Sequence, residues 1–252
     1  EGSAAFEDQG LLVFDADNDN DRDIFVASGG YESFPNSIQL RNRLYINDGN
    51  SNFSIKSDAV PAINQNSSVA RGSDYDNDGD IDLFIGGDVY PKKYPLADQS
   101  TLLKNENGLF IDVTKDEIPE LENIGIIKTA LWSDFNEDGL TDLIVAGLFT
   151  EIIFFKNTGN GFSKLKDPYS DGLKGWWLAS VGADLDLDGD IDYIFGNWGE
   201  NVAFKPTKED PLITFVNDFD QNNTIDFIAP IPQNGEYYPL APRNMQIDQI
   251  TS

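Results

Sequence analysis

The feature that most constrains this chain is an acidic nine-residue spacing that returns five times, starting at Asp15, Asp74, Asp134, Asp184 and Asp218. Its fullest form is Asp184–Asp192, DLDLDGDID, with carboxylates at positions 1, 3, 5, 7 and 9 and Gly189 at position 6. Gly at position 6 suits a sharp turn, where a left-handed backbone penalises a side chain. Asn20 and Asn223 hold that place in the first and fifth copies, and Asn is the next-best residue for it. Short apolar runs flank each copy, such as LLVF before Asp15 and IFVAS after Asp23. Apolar runs on both sides of a tight turn predict a β-hairpin.

Carboxylates packed this closely repel one another, and a hard cation resolves the repulsion. Calcium takes about six to eight oxygens at roughly 2.3–2.6 Å, which clustered Asp side chains and a backbone carbonyl supply. The expected ligands are the side chains at positions 1, 3, 5 and 9 and the carbonyl at position 7. In the first turn these are Asp15, Asp17, Asp19 and Asp23, with Asp21 through its carbonyl. In the second they are Asp74, Asp76, Asp78 and Asp82, with Asp80. The third uses Asp134, Asn136, Asp138 and Asp142, with Leu140, and the fourth Asp184, Asp186, Asp188 and Asp192, with Asp190. The fifth uses Asp218, Asp220, Asn222 and Asp226, with Thr224. Up to five Ca2+ ions are expected. The Asp74 and Asp184 turns, with four coordinating carboxylates and a Gly, should bind best, and the Asp218 turn weakest.

An EF-hand needs a twelve-residue loop ending in a bidentate Glu between helices. Here the loop ends at position 9 and its flanks are strand-like, so that reading is rejected. Magnesium prefers fewer protein oxygens and keeps its waters. Acidic turns also form without any metal, because Asp, Asn and Gly favour turns. Five copies at one spacing favour metal binding.

Between the turns a second hairpin recurs: Arg43–Asn47 with Asn52–Ile55 around Asp48-Gly49, Thr101–Val113 around Gly108, and Glu151–Phe162 around Gly159. The first Asp residues are 59, 60, 50 and 34 positions apart, and the first three intervals suit one four-stranded unit per repeat. Repeats of this length mean a propeller or an array. The expected fold is all-β: a partial β-propeller of four-stranded blades with calcium-binding turns, about four to five repeats near 11–60, 68–114, 126–166, 176–206 and 212–230. One propeller region spans 1–252, expected to be a piece of a longer chain. Asp88–Gln99 reads as a long loop, and a short helical piece is expected around Asp116–Asn123.

The formal charge of −27, from 44 acidic against 17 basic residues, argues against nucleic acid and anionic membrane surfaces as partners. There is no Cys and no His, which removes thiol nucleophiles, imidazole bases and the usual zinc ligands. No apolar run approaches the roughly 20 residues of a membrane span. Adjacent Trp176 and Trp177 should point to opposite faces of a strand, one of them into the core. Trp132 and Trp198 read as packing residues, and Tyr90, Tyr94, Tyr237 and Tyr238 are placed in Pro-rich loops.

The units resemble FG-GAP/VCBS repeats, the blades of integrin-α-type β-propellers. The strings Asn42-Arg-Leu-Tyr-Ile-Asn-Asp-Gly, Ala130-Leu-Trp-Ser-Asp, Gly175-Trp-Trp and Gly196-Asn-Trp-Gly-Glu-Asn look closest to the bacterial relatives of cartilage acidic protein, the ASPIC/UnbV-type group. Leu148-Phe149-Thr150 departs from that pattern. The resemblance implies calcium at the blade turns. It also implies an extracytoplasmic protein, secreted or a lipoprotein at the outer-membrane surface of a Gram-negative bacterium. The expected role is a cell-surface binding module for a protein subunit or a glycan, as an accessory part of an outer-membrane uptake complex, and not an enzyme. The alternative is a calcium-dependent polysaccharide lyase or glycosidase on the same scaffold. Against it stand the missing His and the lack of an acid pair outside the turns.

Overall fold

The computed structural model describes residues 6–166, 174–199, 207, 211–233 and 236–239. The chain forms two compact units, one of Glu1–Lys92 with Leu96–Asn197, the other of Lys93–Pro95 with Trp198–Ser252. The first unit opens with an antiparallel meander of β1 (Glu7–Phe14), β2 (Asp23–Gly29), β3 (Arg43–Asn47) and β4 (Phe53–Ile55). The second blade repeats it with β5 (Ser67–Ser73), β6 (Asp82–Gly87), β7 (Thr101–Glu106) and β8 (Leu109–Asp112). One turn of helix, α1 (Thr114–Glu117), and a 3-10 segment, Pro119–Asn123, lead on. The helical stretch therefore starts two residues before the expected one, and Pro119 divides it because proline cannot continue the ladder.

The third blade is β9 (Ile126–Ser133), β10 (Asp142–Thr150), β11 (Ile153–Asn157) and β12 (Phe162–Lys164). The end of β10 also pairs with β13 (Gly175–Ala183), which pairs in turn with β14 (Asp192–Asn197). The rest of the fourth repeat, 200–206, lies outside the described residues. In the second unit, β15 (Phe215–Asn217) pairs with β16 (Asp226–Ile228), and β17 (Pro230–Gln233) with β18 (Glu236–Pro239). Tyr237 and Tyr238 thus stand on a strand, not in the expected loop, with their side chains exposed.

The first strands of successive blades pack together, β1 against β5, β5 against β9 and β9 against β13, as they do in a propeller. Each carries a bulge at the same place, at Gln9, Ser68, Lys128 and Leu178. Bulges bend and twist a strand, and here the bend recurs blade by blade. At Gly147, beside the third bulge, an added Cβ would meet Ile126 O at 1.8 Å, so only glycine fits.

The core lies between blades. Alternation on β6 sends Leu83 and Ile85 toward Phe14, Phe25 and Leu44 of blade one, and Phe84 toward Ile127, Leu143 and Val145 of blade three. Each such fully buried side chain stabilises by about 1.5–3 kcal/mol. The other face of blade one remains open: Leu11 is 65% exposed, Val13 59% and Ile55 53%. Trp132 packs as expected, stacked on Tyr75 at 5.8 Å. Trp176 and Trp177 are both partly buried, so neither is a core residue, and Trp198 is about half exposed.

Candidate metal centres

In every acidic turn the position-1 carboxylate accepts the position-6 N–H, and in three of them the position-5 N–H as well. Asp74 accepts from Asp78 and Gly79, both at 3.0 Å, and Asp134 from Asp138 at 3.1 Å and Gly139 at 2.8 Å. Asp218 does the same with Asn222 and Asn223, while Asp15 and Asp184 each accept the position-6 N–H. The position-5 side chain then accepts the N–H of position 7, as Asp78 Oδ1 does from Asp80 at 3.0 Å. Such local bonds are what make Asp and Asn turn formers.

Position 6 is left-handed in all five turns, including Asn20 at φ 72° and Asn223 at φ 66°. Position 4 is left-handed as well, at Asn18, Asn77, Glu137, Leu187 and Gln221. Sequence reasoning missed this second site. Two of the five residues are Asn, but Glu137, Leu187 and Gln221 give no sign of it.

The position-9 carboxylate joins the turn to its blade. Asp23, Asp82 and Asp142 are fully buried. One oxygen of each accepts the N–H of position 2 (Ala16 at 2.8 Å, Tyr75 at 3.2 Å, Phe135 at 3.2 Å). The other accepts the N–H of an Asn on the third strand (Asn47 at 2.9 Å, Asn105 at 2.8 Å, Asn157 at 2.7 Å). Asn105 and Asn157 also reach back one blade. Asn105 Nδ2 donates to Ala16 O at 2.9 Å, and Asn157 Nδ2 to Tyr75 O at 2.8 Å. Successive acidic turns are thereby stapled together.

Four turns bring three carboxylates within 4.8 Å of one another: Asp15, Asp17 and Asp19; Asp74, Asp76 and Asp78; Asp184, Asp186 and Asp192; Asp218, Asp220 and Asp226. The third turn gathers no such trio among the described residues. There Asn136 directs its amide NH2 to Asp142 at 2.7 Å, so its oxygen faces a cation only after the amide turns over. The side chain of Asp80, at position 7, accepts Asn107 N–H at 2.6 Å and so points away from the loop's other carboxylates toward the third strand's turn.

The residues present fit a hard divalent cation. Asp15, Asp17 and Asp21 in the first turn and Asp184 in the fourth each hold a buried Oδ1 with no hydrogen-bond partner. Leaving a buried carboxylate oxygen unpaired is costly, and a cation satisfies several at once. Burial and then Asp19 push the Asp17 carboxyl above its ordinary value, and Asp188 does the same to Asp190. Burial raises Asp82 to about 7. A bound calcium would draw the loop oxygens together and offset this charge. The donors are all oxygens, which excludes a preference for soft metals.

The FG-GAP-like repeat matches residues 15–85 and 134–195, together more than half of the chain. The chain belongs to the FG-GAP-like repeat family. The first matched stretch holds turns one and two and the second holds turns three and four, each opening on a position-1 Asp. The fifth turn of this FG-GAP chain, Asp218–Asp226, lies outside both stretches.

No curated protein matches the chain. Among solved structures it is similar to an Agrocybe aegerita lectin that recognises non-reducing terminal N-acetylglucosamine, at 16% identity and a TM-score of 0.44 over 91% of this chain and 64% of the lectin. It is also similar to the exotype rhamnogalacturonan lyase YesX, at 14% identity and 0.44 over 90% of this chain and 46% of the lyase. The chain thus spans less than two thirds of either protein. No helix among its described residues is long and apolar enough to cross a membrane.

Proposed function

We propose that this FG-GAP chain is a calcium-stabilised β-propeller module that binds a protein or a glycan at an extracytoplasmic surface. The observation that carries the reading is the set of buried, unpartnered carboxylate oxygens on the expected side-chain ligands Asp15, Asp17 and Asp184 inside repeated acidic turns. The metal's work is structural: it holds the β1–β2 type of hairpin closed, and the position-9 Asp passes that order to the third strand. The loops on such a scaffold are then free to carry recognition. Calcium is held by up to five turns, the fifth at Asp218 included. The intervening strings support a place beside the ASPIC/UnbV-type surface proteins, as a lipoprotein or secreted accessory subunit of an uptake complex.

The test is calcium titration of the chelator-treated chain by calorimetry, followed by glycan-array and surface-protein binding with and without calcium. Turnover assays on acidic and neutral polysaccharides run beside it. Expected are saturable calcium uptake, a higher Tm with calcium, calcium-dependent ligand capture and no cleavage. Polysaccharide cleavage, or no calcium uptake at millimolar concentration, would overturn the reading.

A further inference from the structure

We infer that Lys104 and Lys156 are built-in counter-ions that compete with calcium for the second and third turns, so that the second holds the metal more weakly than the first despite an equal set of carboxylates. The inference rests on the calcium reading above. Lys104, on β7, forms an ion pair with Asp76, and its Nζ lies 3.4 Å from Asp78 Oδ2 and 3.7 Å from Glu106. Asp76 and Asp78 are the expected ligands at positions 3 and 5. Lys156 holds the same place on β11, and its Nζ lies 2.9 Å from Asp138 Oδ2, at position 5. Each lysine directly precedes the Asn whose N–H bonds the position-9 carboxylate. The position is therefore equivalent in the two blades.

In blade one the residue at that register is Ile46, followed by Asn47. The ammonium nearest to the first turn there, Lys56, stands 3.9 Å from Asp17 Oδ2, near the limit for an ion pair. In the first three turns the state of the carboxylates follows the lysines. The first turn holds buried Oδ1 atoms without a partner at Asp15, Asp17 and Asp21, and the second and third turns hold none among the described residues. In the second turn the N–H groups of positions 5, 6 and 7 together with Lys104 engage every side chain at positions 1, 3 and 5. A calcium ion entering there takes oxygens that an ammonium already holds, and its double charge must then face that ammonium across a few ångströms. In the first turn the same entry satisfies the Asp15 and Asp17 Oδ1 atoms, which nothing else reaches. Counting ligands ranks the Asp74 turn among the best. Counting the cation already attached reverses that order.

Calorimetric calcium titration of the whole chelator-treated chain tests this with Lys104→Met, Lys104→Arg and Lys156→Met. Each Met variant should shift one equivalent of calcium to about tenfold tighter binding, a change of about 1.4 kcal/mol. Lys104→Arg keeps the charge and should leave the isotherm as in the wild type. The Met variants should also melt lower than wild type in chelator and gain more Tm on calcium addition. Lys104→Gln serves as a second neutral variant should Met disturb the strand. Unchanged or weaker calcium binding in the neutral variants, with the wild type still binding calcium, overturns this inference alone. A wild type that takes up no calcium overturns the calcium reading and this inference with it.

Discussion

Replacing Asn105 by alanine should cut the staple between the first and second acidic turns. The residue is 1% exposed. Its Nδ2 donates to Ala16 O at 2.9 Å and Ile81 O at 3.2 Å, and its Oδ1 accepts Gly108 N–H at 2.8 Å. Alanine removes all three bonds and leaves two carbonyls and one N–H without a partner in the interior. A net hydrogen bond contributes about 1 kcal/mol, and an orphaned buried group costs about 1–3 kcal/mol. The expected loss is therefore about 3 kcal/mol. Asn157→Ala should cost the same, since Asn157 bonds Tyr75 O, Thr141 O and Gly159 N–H in the same pattern. Asn47 is the control. It occupies the same register and its backbone N–H meets Asp23, but its Oδ1 is buried without a partner, on the open face of blade one. Asn47→Ala should cost less than about 1 kcal/mol. Urea unfolding in excess calcium, followed by the fluorescence of Trp132 beside Tyr75, measures all three, and hydrogen exchange localises the loss. Equal costs at positions 47, 105 and 157 would refute the staple.

Leu187 holds the left-handed position 4 of the fourth turn at φ 63° while 86% exposed. The left-handed backbone costs an ordinary residue about 1–2 kcal/mol, and Asn tolerates it. Leu187→Asn should raise stability by about 1 kcal/mol in thermal melts, and a lower Tm would contradict the backbone assignment. Asp98 is held above its ordinary carboxyl value by burial, only partly offset by the N–H groups of Asn66 and Gln99. A raised carboxyl means that the folded state binds the proton more tightly than the unfolded chain. Stability from this group is therefore lost as pH rises from the ordinary carboxylate value, about 3.9, through the folded value. Asp98→Asn is neutral and loses one N–H partner, costing about 1 kcal/mol at low pH. The gap to wild type should narrow as pH rises, and a widening gap in pH-dependent urea unfolding would reverse the sign.

The turns and hairpins were legible because they are local. Five carboxylate spacings, Gly or Asn at position 6 and alternating strands on both sides specify a hairpin without help from the rest of the chain. The bulges at Gln9, Ser68, Lys128 and Leu178 were not legible, because four unlike residues occupy one structural place. A bulge is set by how neighbouring first strands pack, not by the residue that fills it. The left-handed state of Leu187 was hidden for the same reason: loop closure by Asp184 and Asp188 imposes it on whichever residue stands there. Lys104 and Lys156 were invisible as partners of the turns because they lie 18 to 28 residues downstream of the carboxylates they meet. Only the register of the third strand brings them back.

That register carries the main physical consequence. The position-9 Asp is at once the end of the acidic loop and the acceptor for the third strand, so the turn cannot loosen without loosening the blade. The Asn at the same point ties the blade to the turn before it. A cation bound in one loop therefore acts on two blades, and its binding free energy becomes folding free energy for both. Where a lysine already neutralises the loop, as at Asp76 and Asp138, part of that order exists before any metal binds. Of the first three turns, the first has no lysine at the equivalent position, and on the calcium reading it should owe most to the metal. On that reading, the dependence of the fold on the metal is uneven along the chain, set less by the number of carboxylates than by what each one already touches.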